Sequence, residues 1–167
     1  MLVFFDDILI YSPSWVEHLQ HARAVLQLMR DHHLFLKQSK CIFGAHLVGY
    51  LGHMISSQGV AMDPAKVEAV HTWPKPWTVK AVRGFLSLTG YYRKFIRSYG
   101  ELAAPLTQLL KREALLWTDA ADMAFNNLKA ALTSGPVLQL PNFDKPFVVD
   151  CDTSGSGFSA VLHKAVV

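Results

Sequence analysis

The chain opens with two short apolar runs separated by two acidic residues. Leu2–Phe5 and Ile8–Tyr11 are rich in strand-forming residues, and Asp6 and Asp7 lie between them. Apolar runs of this length around a polar pair predict a β-hairpin. Neighbouring side chains of a strand point to opposite faces, so adjacent aspartates can share a site only near a tight turn. The hairpin therefore predicts paired carboxylates at its turn.

The apolar spacing then becomes helical from about Ser14 to His32, after the start signal Ser12-Pro13-Ser14. The apolar positions of this amphipathic helix are Val16, Leu19, Ala22, Leu26 and Met29. Residues 34–55 are rich in β-branched, aromatic and glycine residues, which predicts short strands with Gly44 and Gly49 at turns or bulges. The first third of the chain therefore predicts one small sheet backed by one helix.

Helices dominate the next part. Ser56–Gly59 predicts a turn, and Asp63 and Pro64 predict the N-cap and first turn of a short helix that runs to about Thr72. The proline-spaced segment Trp73–Trp77 predicts a stiff extended connector. Thr78 then caps a predicted long helix whose buried side carries Val82, Phe85, Tyr92, Phe95 and Ile96.

The last third predicts two helices and then two strands. The helices lie between about Tyr99 and Leu132, with a turn near Glu113–Trp117, and Pro136 and Pro141 end the helical region. A strand is predicted to run from Phe147 through Asp152. Gly155 and Gly157 lie in the next turn, and a second strand covers Phe158–His163. The predicted fold class is α+β.

Composition excludes several classes of protein. The 167 residues are 51% hydrophobic and 17% charged, which excludes disorder. No run approaches about 18 apolar residues, so we expect no membrane span. Asp6 interrupts the short apolar start, so we expect no signal peptide. We therefore expect an intracellular protein, cytoplasmic by default. Cys41 and Cys151 form no Cys-x-x-Cys pair, so we expect no disulfide. The eight histidines have no complete zinc spacing and are expected at the surface or its boundary.

The net charge of +3 hides an asymmetry. Residues 75–112 carry eight basic side chains and one acidic one, Glu101, so this segment is +7 and the remainder is −4. The long helix places one set of side chains at three- and four-residue steps opposite its apolar side: Lys80, Arg83, Ser87, Tyr91 and Lys94. This stripe fits a helix laid along a nucleic-acid groove. An ordinary solvated helix face explains the charges equally well, although not Tyr91.

The acidic pair also has two interpretations. Paired carboxylates suit two-metal phosphoryl transfer, in which two cations roughly 3.5–4 Å apart hold the attacking and leaving oxygens. Taken alone, however, such a decapeptide is more often a plain hairpin with a solvated turn. The hairpin by itself does not decide between them.

An ordered series of motifs along the chain decides in favour of the metal-binding interpretation. They are Phe4-Phe5-Asp6-Asp7, Glu17-His18-Leu19, Lys40-Cys41-Ile42-Phe43, Tyr50–Ser56, Asp63–Val67, Trp73–Pro76, Arg83–Leu86, Tyr91–Ile96, Ala104–Thr107, Leu116–Thr118, Phe125–Lys129, Pro136–Leu138 and Asp150–Ser154. In this order they resemble the reverse transcriptase of gypsy-type LTR retrotransposons along almost the whole chain. The resemblance implies a parent RNA-directed DNA polymerase with RNase H, a Pol polyprotein, and an RNA/DNA primer–template as partner.

The resemblance also implies a domain organisation. Residues 1–56 correspond to the C-terminal part of the palm, 57–98 to the thumb, 99–142 to linker helices, and 143–167 to the start of an RNase H-like domain. The palm part would end a polymerase sheet.

For the catalytic side chains, the resemblance makes Asp6 a ligand of Mg²⁺ and Asp7 its supporting neighbour. Phe4 takes the position of the motif tyrosine and loses one hydroxyl donor. Asp152 matches the first metal-binding aspartate of RNase H, and a plain aspartate at the end of a strand is the alternative for this chain alone. The family's earlier palm aspartate would precede residue 1, so we expect this chain alone not to sustain nucleotidyl transfer from deoxynucleoside triphosphates.

For nucleic-acid binding, Gly52 and His53 match the hairpin that grips the primer terminus; a simple β-turn is the alternative. The stripe matches the thumb helix that follows the minor groove, with Ser87 where the family usually has glycine. The extra hydroxymethyl group predicts a weaker grip. A non-catalytic duplex-binding module and an inert coding remnant stay open as alternatives, and exposed apolar residues of the first hairpin predict poor solubility.

Overall fold

Two small groups of strands precede a set of packed helices, and a long hairpin follows them. The computed structural model describes residues 1–111, 116–135, 137–138, 144–154 and 157–164. Its strands are β1 (Leu2–Phe4), β2 (Asp7–Leu9), β3 (Leu47–Tyr50), β4 (His53–Ser56), β5 (Gly59–Met62), β6 (Phe147–Ser154) and β7 (Gly157–Lys164). Its α-helices are α1 (Trp15–Asp31), α2 (Pro64–His71), α3 (Val79–Tyr91), α4 (Tyr99–Leu109) and α5 (Asp119–Thr133). This mixture confirms the predicted α+β class.

The first hairpin and α1 form as the sequence predicts. β1 and β2 pair antiparallel with Phe4 opposite Asp7, and Phe5 and Asp6 make the two-residue turn. The Ser14 hydroxyl accepts the Glu17 backbone N–H and donates to the Glu17 carboxylate, which caps α1. No residue of α1 is buried. The apolar face of α1 is therefore at most partly covered by the described residues.

Strands β3, β4 and β5 form a separate sheet in that order, which differs from the single sheet that the sequence predicts. β5 is a strand that the sequence does not predict, and it follows the Ser57–Gln58 turn. Gly44 has a left-handed backbone, as expected of a turn, whereas Gly49 lies inside β3. After α5, Leu138 exchanges two backbone hydrogen bonds of 2.8 Å with Val60 of β5.

The core lies among α2, α3, α4 and α5. Phe85 is fully buried, and its ring lies 4.6 Å from that of Phe125 and 6.0 Å from that of Trp73. The other side chains with at most 1% exposure are Val70, Val82, Thr89, Leu106, Ala121, Leu128 and Leu132. Burying each large apolar side chain stabilises the fold by about 1.5–3 kcal/mol. The helical half thus supplies the stable platform of the molecule.

The caps predicted for α2 and α3 are present, and Thr118 forms a further cap on α5. Asp63 accepts the Ala65 N–H, Thr78 accepts the Ala81 N–H, and Thr118 accepts the Ala121 N–H. α3 ends at Tyr91, earlier than predicted, because i to i+3 hydrogen bonds form a 3₁₀ turn over Arg93–Phe95. The helix stops predicted at Pro136 and Pro141 lie outside the described residues, as does most of the turn near Glu113–Trp117.

Side-chain contacts hold the connector between α2 and α3 against α5. Lys75 forms an ion pair of 2.5 Å with Asp122, whose carboxylate also accepts the Trp117 indole N–H at 3.0 Å. The hydrogen bond from Lys75, followed by that from Trp117, lowers the pKa of Asp122. Lys129 donates to the Trp73 carbonyl at 2.9 Å.

Among the described residues, no helix combines the length and apolar character that a membrane crossing requires.

Candidate nucleic-acid interface

The stripe predicted on the thumb helix is exposed along α3. Lys80, Arg83, Ser87 and Tyr91 are all exposed, whereas the opposite side of the helix is buried in the core. At a rise of about 1.5 Å per residue, the stripe from residue 80 to residue 91 is about 16 Å long. That length matches about five base pairs of a duplex with a 3.4 Å rise. Lys94 is exposed in the 3₁₀ turn that follows.

The far end of this stripe contacts the β3–β4 turn. The Tyr91 hydroxyl donates to the Leu51 carbonyl at 2.7 Å, and the Tyr92 hydroxyl donates to the Gly52 carbonyl at 2.7 Å. Leu51 and Gly52 both have positive φ, 48° and 69°, as a two-residue type I′ hairpin turn requires. The turn and the helix end therefore form one continuous surface.

His53 supports the turn from the inside. Its side chain is only 9% exposed, and its ring lies 5.4–5.9 Å from the rings of Tyr91, Tyr92 and Phe95. Nδ1 donates to the Leu51 carbonyl at 2.8 Å, and Nε2 is buried with no hydrogen-bond partner among the described residues. Burial and, second, the Lys94 charge lower the pKa of His53 from its ordinary value of 6.5, which favours the neutral ring. The His53 ring therefore lies behind the turn and is not presented at its surface.

The other basic residues of the segment 75–112 differ in their surroundings. Lys75 is committed to Asp122 and lies over the rings of Trp77 and Trp117. The exposed cations beyond α3 are Arg93, Arg97 and Lys111, while Arg112 lies outside the described residues. The positive surface is therefore concentrated on α3 and the segment that follows it.

The acidic pair lies at the first hairpin as predicted. Asp6 occupies the turn and Asp7 begins β2, and both are exposed. Phe4 is 52% exposed, with its ring edge-on to Phe5 at 4.9 Å. Carboxylate oxygens suit Mg²⁺, but no group of three potential metal-binding side chains occurs among the described residues. The described part of the chain does not complete a metal site.

Asp152 lies within β6, opposite Ser159 of β7. The strand pair matches the predicted one, although β7 begins at Gly157, which the sequence analysis had placed in the turn. Cys41 and Cys151 are both free thiols.

Hydropathy alone does not reveal the role of the Tyr92 hydroxyl. The sequence places Tyr92 on the buried side of the helix, and the residue is indeed 2% exposed. The phenol oxygen nevertheless bonds a carbonyl 40 residues away. One signal for this contact was Gly52, because glycine in a turn permits close approach of another group.

Two family models match the chain. The model described as reverse transcriptase (RNA-dependent DNA polymerase) matches residues 1–55, and the model described as RNase H-like domain found in reverse transcriptase matches residues 117–166. They fall at opposite ends of the chain, in the order predicted from the motifs.

Solved structures with the same fold include reverse transcriptases of foamy virus. A foamy viral protease-reverse transcriptase in complex with double-stranded DNA superposes with a TM-score of 0.77 at 19% identity, covering 93% of this chain and 30% of that one. A second, in complex with an RNA/DNA hybrid, also has a TM-score of 0.77, at 18% identity, covering 93% of this chain and 24% of that one. These likenesses confirm the fold.

Relatives in sequence confirm the predicted resemblance. An uncharacterized mitochondrial protein of Arabidopsis thaliana is 48% identical over 78% of this chain and 84% of its own length. The retrovirus-related Pol polyproteins from transposons 297 and gypsy of Drosophila melanogaster are 41% and 36% identical over 98% and 97% of this chain. This chain spans only 16% and 17% of those two polyproteins. The chain belongs to the reverse transcriptase family of retrotransposon Pol polyproteins.

Proposed function

We propose that this chain is the duplex-binding part of a retrotransposon reverse transcriptase, and that it holds an RNA/DNA primer–template along α3. The observation that carries this proposal is the exposed stripe Lys80, Arg83, Ser87 and Tyr91, which leads directly to the β3–β4 turn. Side chains that neutralise phosphates release counterions, and such a surface binds a duplex without reading its sequence. The foamy viral structures with bound duplexes support the same partner class.

Within this proposal, residues 1–56 are the end of the palm, 57–98 the thumb, 99–142 the linker helices and 143–167 the start of the RNase H-like domain. RNA-directed DNA synthesis belongs to the whole Pol protein. There, Asp6 and Asp7 would be ligands of Mg²⁺, completed by a carboxylate from another part of that protein. The metal would supply positive charge to the reacting phosphate oxygens.

Hybrid binding by this chain tests the proposal. The assay is fluorescence anisotropy of a short labelled RNA/DNA hybrid over a series of salt concentrations. We expect the dissociation constant to rise steeply with salt. The double variant Lys80→Ala/Arg83→Ala should weaken binding and reduce the slope of log K against log salt by about one to two, because each lost phosphate contact removes roughly 0.9 from it.

A matched double variant controls for net charge. Lys66 on α2 and Arg30 on α1 are also exposed, and Lys66→Ala/Arg30→Ala removes the same two charges away from the stripe. This control should keep most of the wild-type affinity and slope. Equal losses in both double variants would refute a specific stripe and leave only nonspecific attraction.

Primer extension separates the proposal from its alternatives. With Mg²⁺ and deoxynucleoside triphosphates present, we expect this chain alone to bind the hybrid and to extend no primer, because its described residues hold two carboxylates without a third ligand. Extension of the primer would contradict that account of the metal site. Absence of any salt-sensitive binding would instead favour an inert coding remnant.

A further inference from the structure

The β3–β4 turn is held by hydrogen bonds from two distant parts of the chain. The Gly52 carbonyl accepts the Tyr92 hydroxyl at 2.7 Å and the Asp63 backbone N–H at 3.3 Å. The adjacent Leu51 carbonyl accepts the Tyr91 hydroxyl at 2.7 Å. The tip of the sheet is thus tied to the end of α3 and to the N-cap of α2.

The residue types at this contact fit it closely. A Cβ atom added at Gly52 would lie 2.9 Å from the Tyr92 hydroxyl, a distance that real Cβ contacts essentially never show. The positive φ of Gly52, 69°, is also one that glycine adopts without strain. Glycine therefore allows the tyrosine to approach, and the His53 ring packs against Tyr92 from the other side at 5.5 Å.

We propose that Tyr92 is a positioning residue for duplex binding: its hydroxyl fixes the β3–β4 turn relative to the α3 stripe, so that both contact one duplex together. The inference rests on the proposed function. Tyr91 and the Asp63 N–H also bond this turn, but the Tyr92 hydroxyl is the contact that comes from a buried side chain at the end of α3. Tyr92 itself is 2% exposed and does not reach the duplex, so it acts through the turn.

The test removes only the hydroxyl, with Tyr92→Phe, and compares it with Tyr99→Phe. Tyr99 is a matched control because its hydroxyl also bonds α3, at the Leu86 carbonyl (3.3 Å) and the Thr89 hydroxyl (3.0 Å), but does not contact the turn. Both variants should lower the thermal midpoint. Only Tyr92→Phe should weaken binding of the labelled hybrid, on the order of fivefold, which is about 1 kcal/mol.

The salt dependence distinguishes positioning from loss of charge. Tyr92→Phe should leave the salt slope at the wild-type value, because every cation of the stripe remains. Gly52→Ala, which forces the hydroxyl away from the carbonyl, should reproduce the same loss of affinity with the same slope. This second variant tests the contact from the side of the turn.

Two results would overturn the inference and leave duplex binding intact: wild-type affinity in Tyr92→Phe, or equal affinity losses in Tyr92→Phe and Tyr99→Phe at a temperature where both are folded. A wild-type chain that shows no salt-dependent binding would overturn the proposed function, and this inference with it. The two failures are therefore distinguishable in one set of titrations.

Discussion

Alkaline pH should destabilise the fold through one buried phenol. Burial, followed by the nearby Tyr91 and Asp63, raises the pKa of Tyr92 from 10.0 to about 12. Between these two values the unfolded chain releases the phenol proton while the folded chain retains it. The unfolded state then binds fewer protons, so the free energy of unfolding falls as the pH rises. This stabilisation is fully present below pH 10 and is lost towards pH 12.

The size of the effect follows from the shift. Each pKa unit corresponds to about 1.36 kcal/mol, so the full loss across two units is about 2–3 kcal/mol. About half of it, roughly 1.4 kcal/mol, should be lost by pH 11. This is a large part of the stability of a small domain, which is about 5–15 kcal/mol.

Urea unfolding at a series of alkaline pH values, followed by circular dichroism, measures this loss. Other groups also titrate there, so the decisive quantity is the difference between wild type and Tyr92→Phe, whose stability should depend less on pH by about 2–3 kcal/mol. Tyr99→Phe keeps Tyr92 and should retain the loss that Tyr92 causes. Parallel stability curves for wild type and Tyr92→Phe would refute the assignment of a shielded phenol at the turn.

Four further predictions concern the same surface and the acidic pair. Ser87→Gly should tighten hybrid binding roughly two- to fivefold in a full-length reverse transcriptase, because it removes bulk facing the groove; unchanged affinity would refute this. The lowered pKa of His53 means that its contribution to stability is present above pH 6.5 and is lost as the pH falls, so His53→Asn should flatten acid unfolding curves. Gly52→Ala should destabilise the fold by about 1–2 kcal/mol, since it places a Cβ at positive φ, whereas Gly100→Ala, with nothing within 4 Å, should not. Millimolar Mg²⁺ should raise stability by only about 0.1 kcal/mol, because a weak two-carboxylate site at Asp6 binds little; a gain above about 1 kcal/mol would contradict this.

Local signals predicted the helices well. The caps Ser14, Asp63, Thr78 and Thr118 each bond a backbone N–H within three residues, so short stretches of sequence specify where the helices begin. The extended connector followed from the proline spacing in the same local way. Sequence alone sufficed there because the interacting groups are neighbours along the chain.

Contacts between distant residues were not predicted. The ion pair between Lys75 and Asp122 joins residues 47 apart, and it pairs one cation of the basic segment 75–112 with a carboxylate. The burial of His53 depends on aromatic rings about 40 positions later. Neither hydropathy nor periodicity encodes such partners, so the sequence placed His53 at the interface and the structure places it behind the turn.

The two parts of the candidate site differ in how firmly the fold holds them in place. The α3 stripe lies on the back of a helix whose other face is buried, so its cations are held by the core. Asp6 and Asp7 lie on a hairpin of three-residue strands whose side chains are mostly exposed, and an isolated two-stranded hairpin is marginally stable in water. How firmly the two carboxylates are positioned therefore depends on the contacts that cover the hairpin. The proposed duplex binding needs only the described α3 surface, whereas metal geometry requires packing that the described residues do not provide.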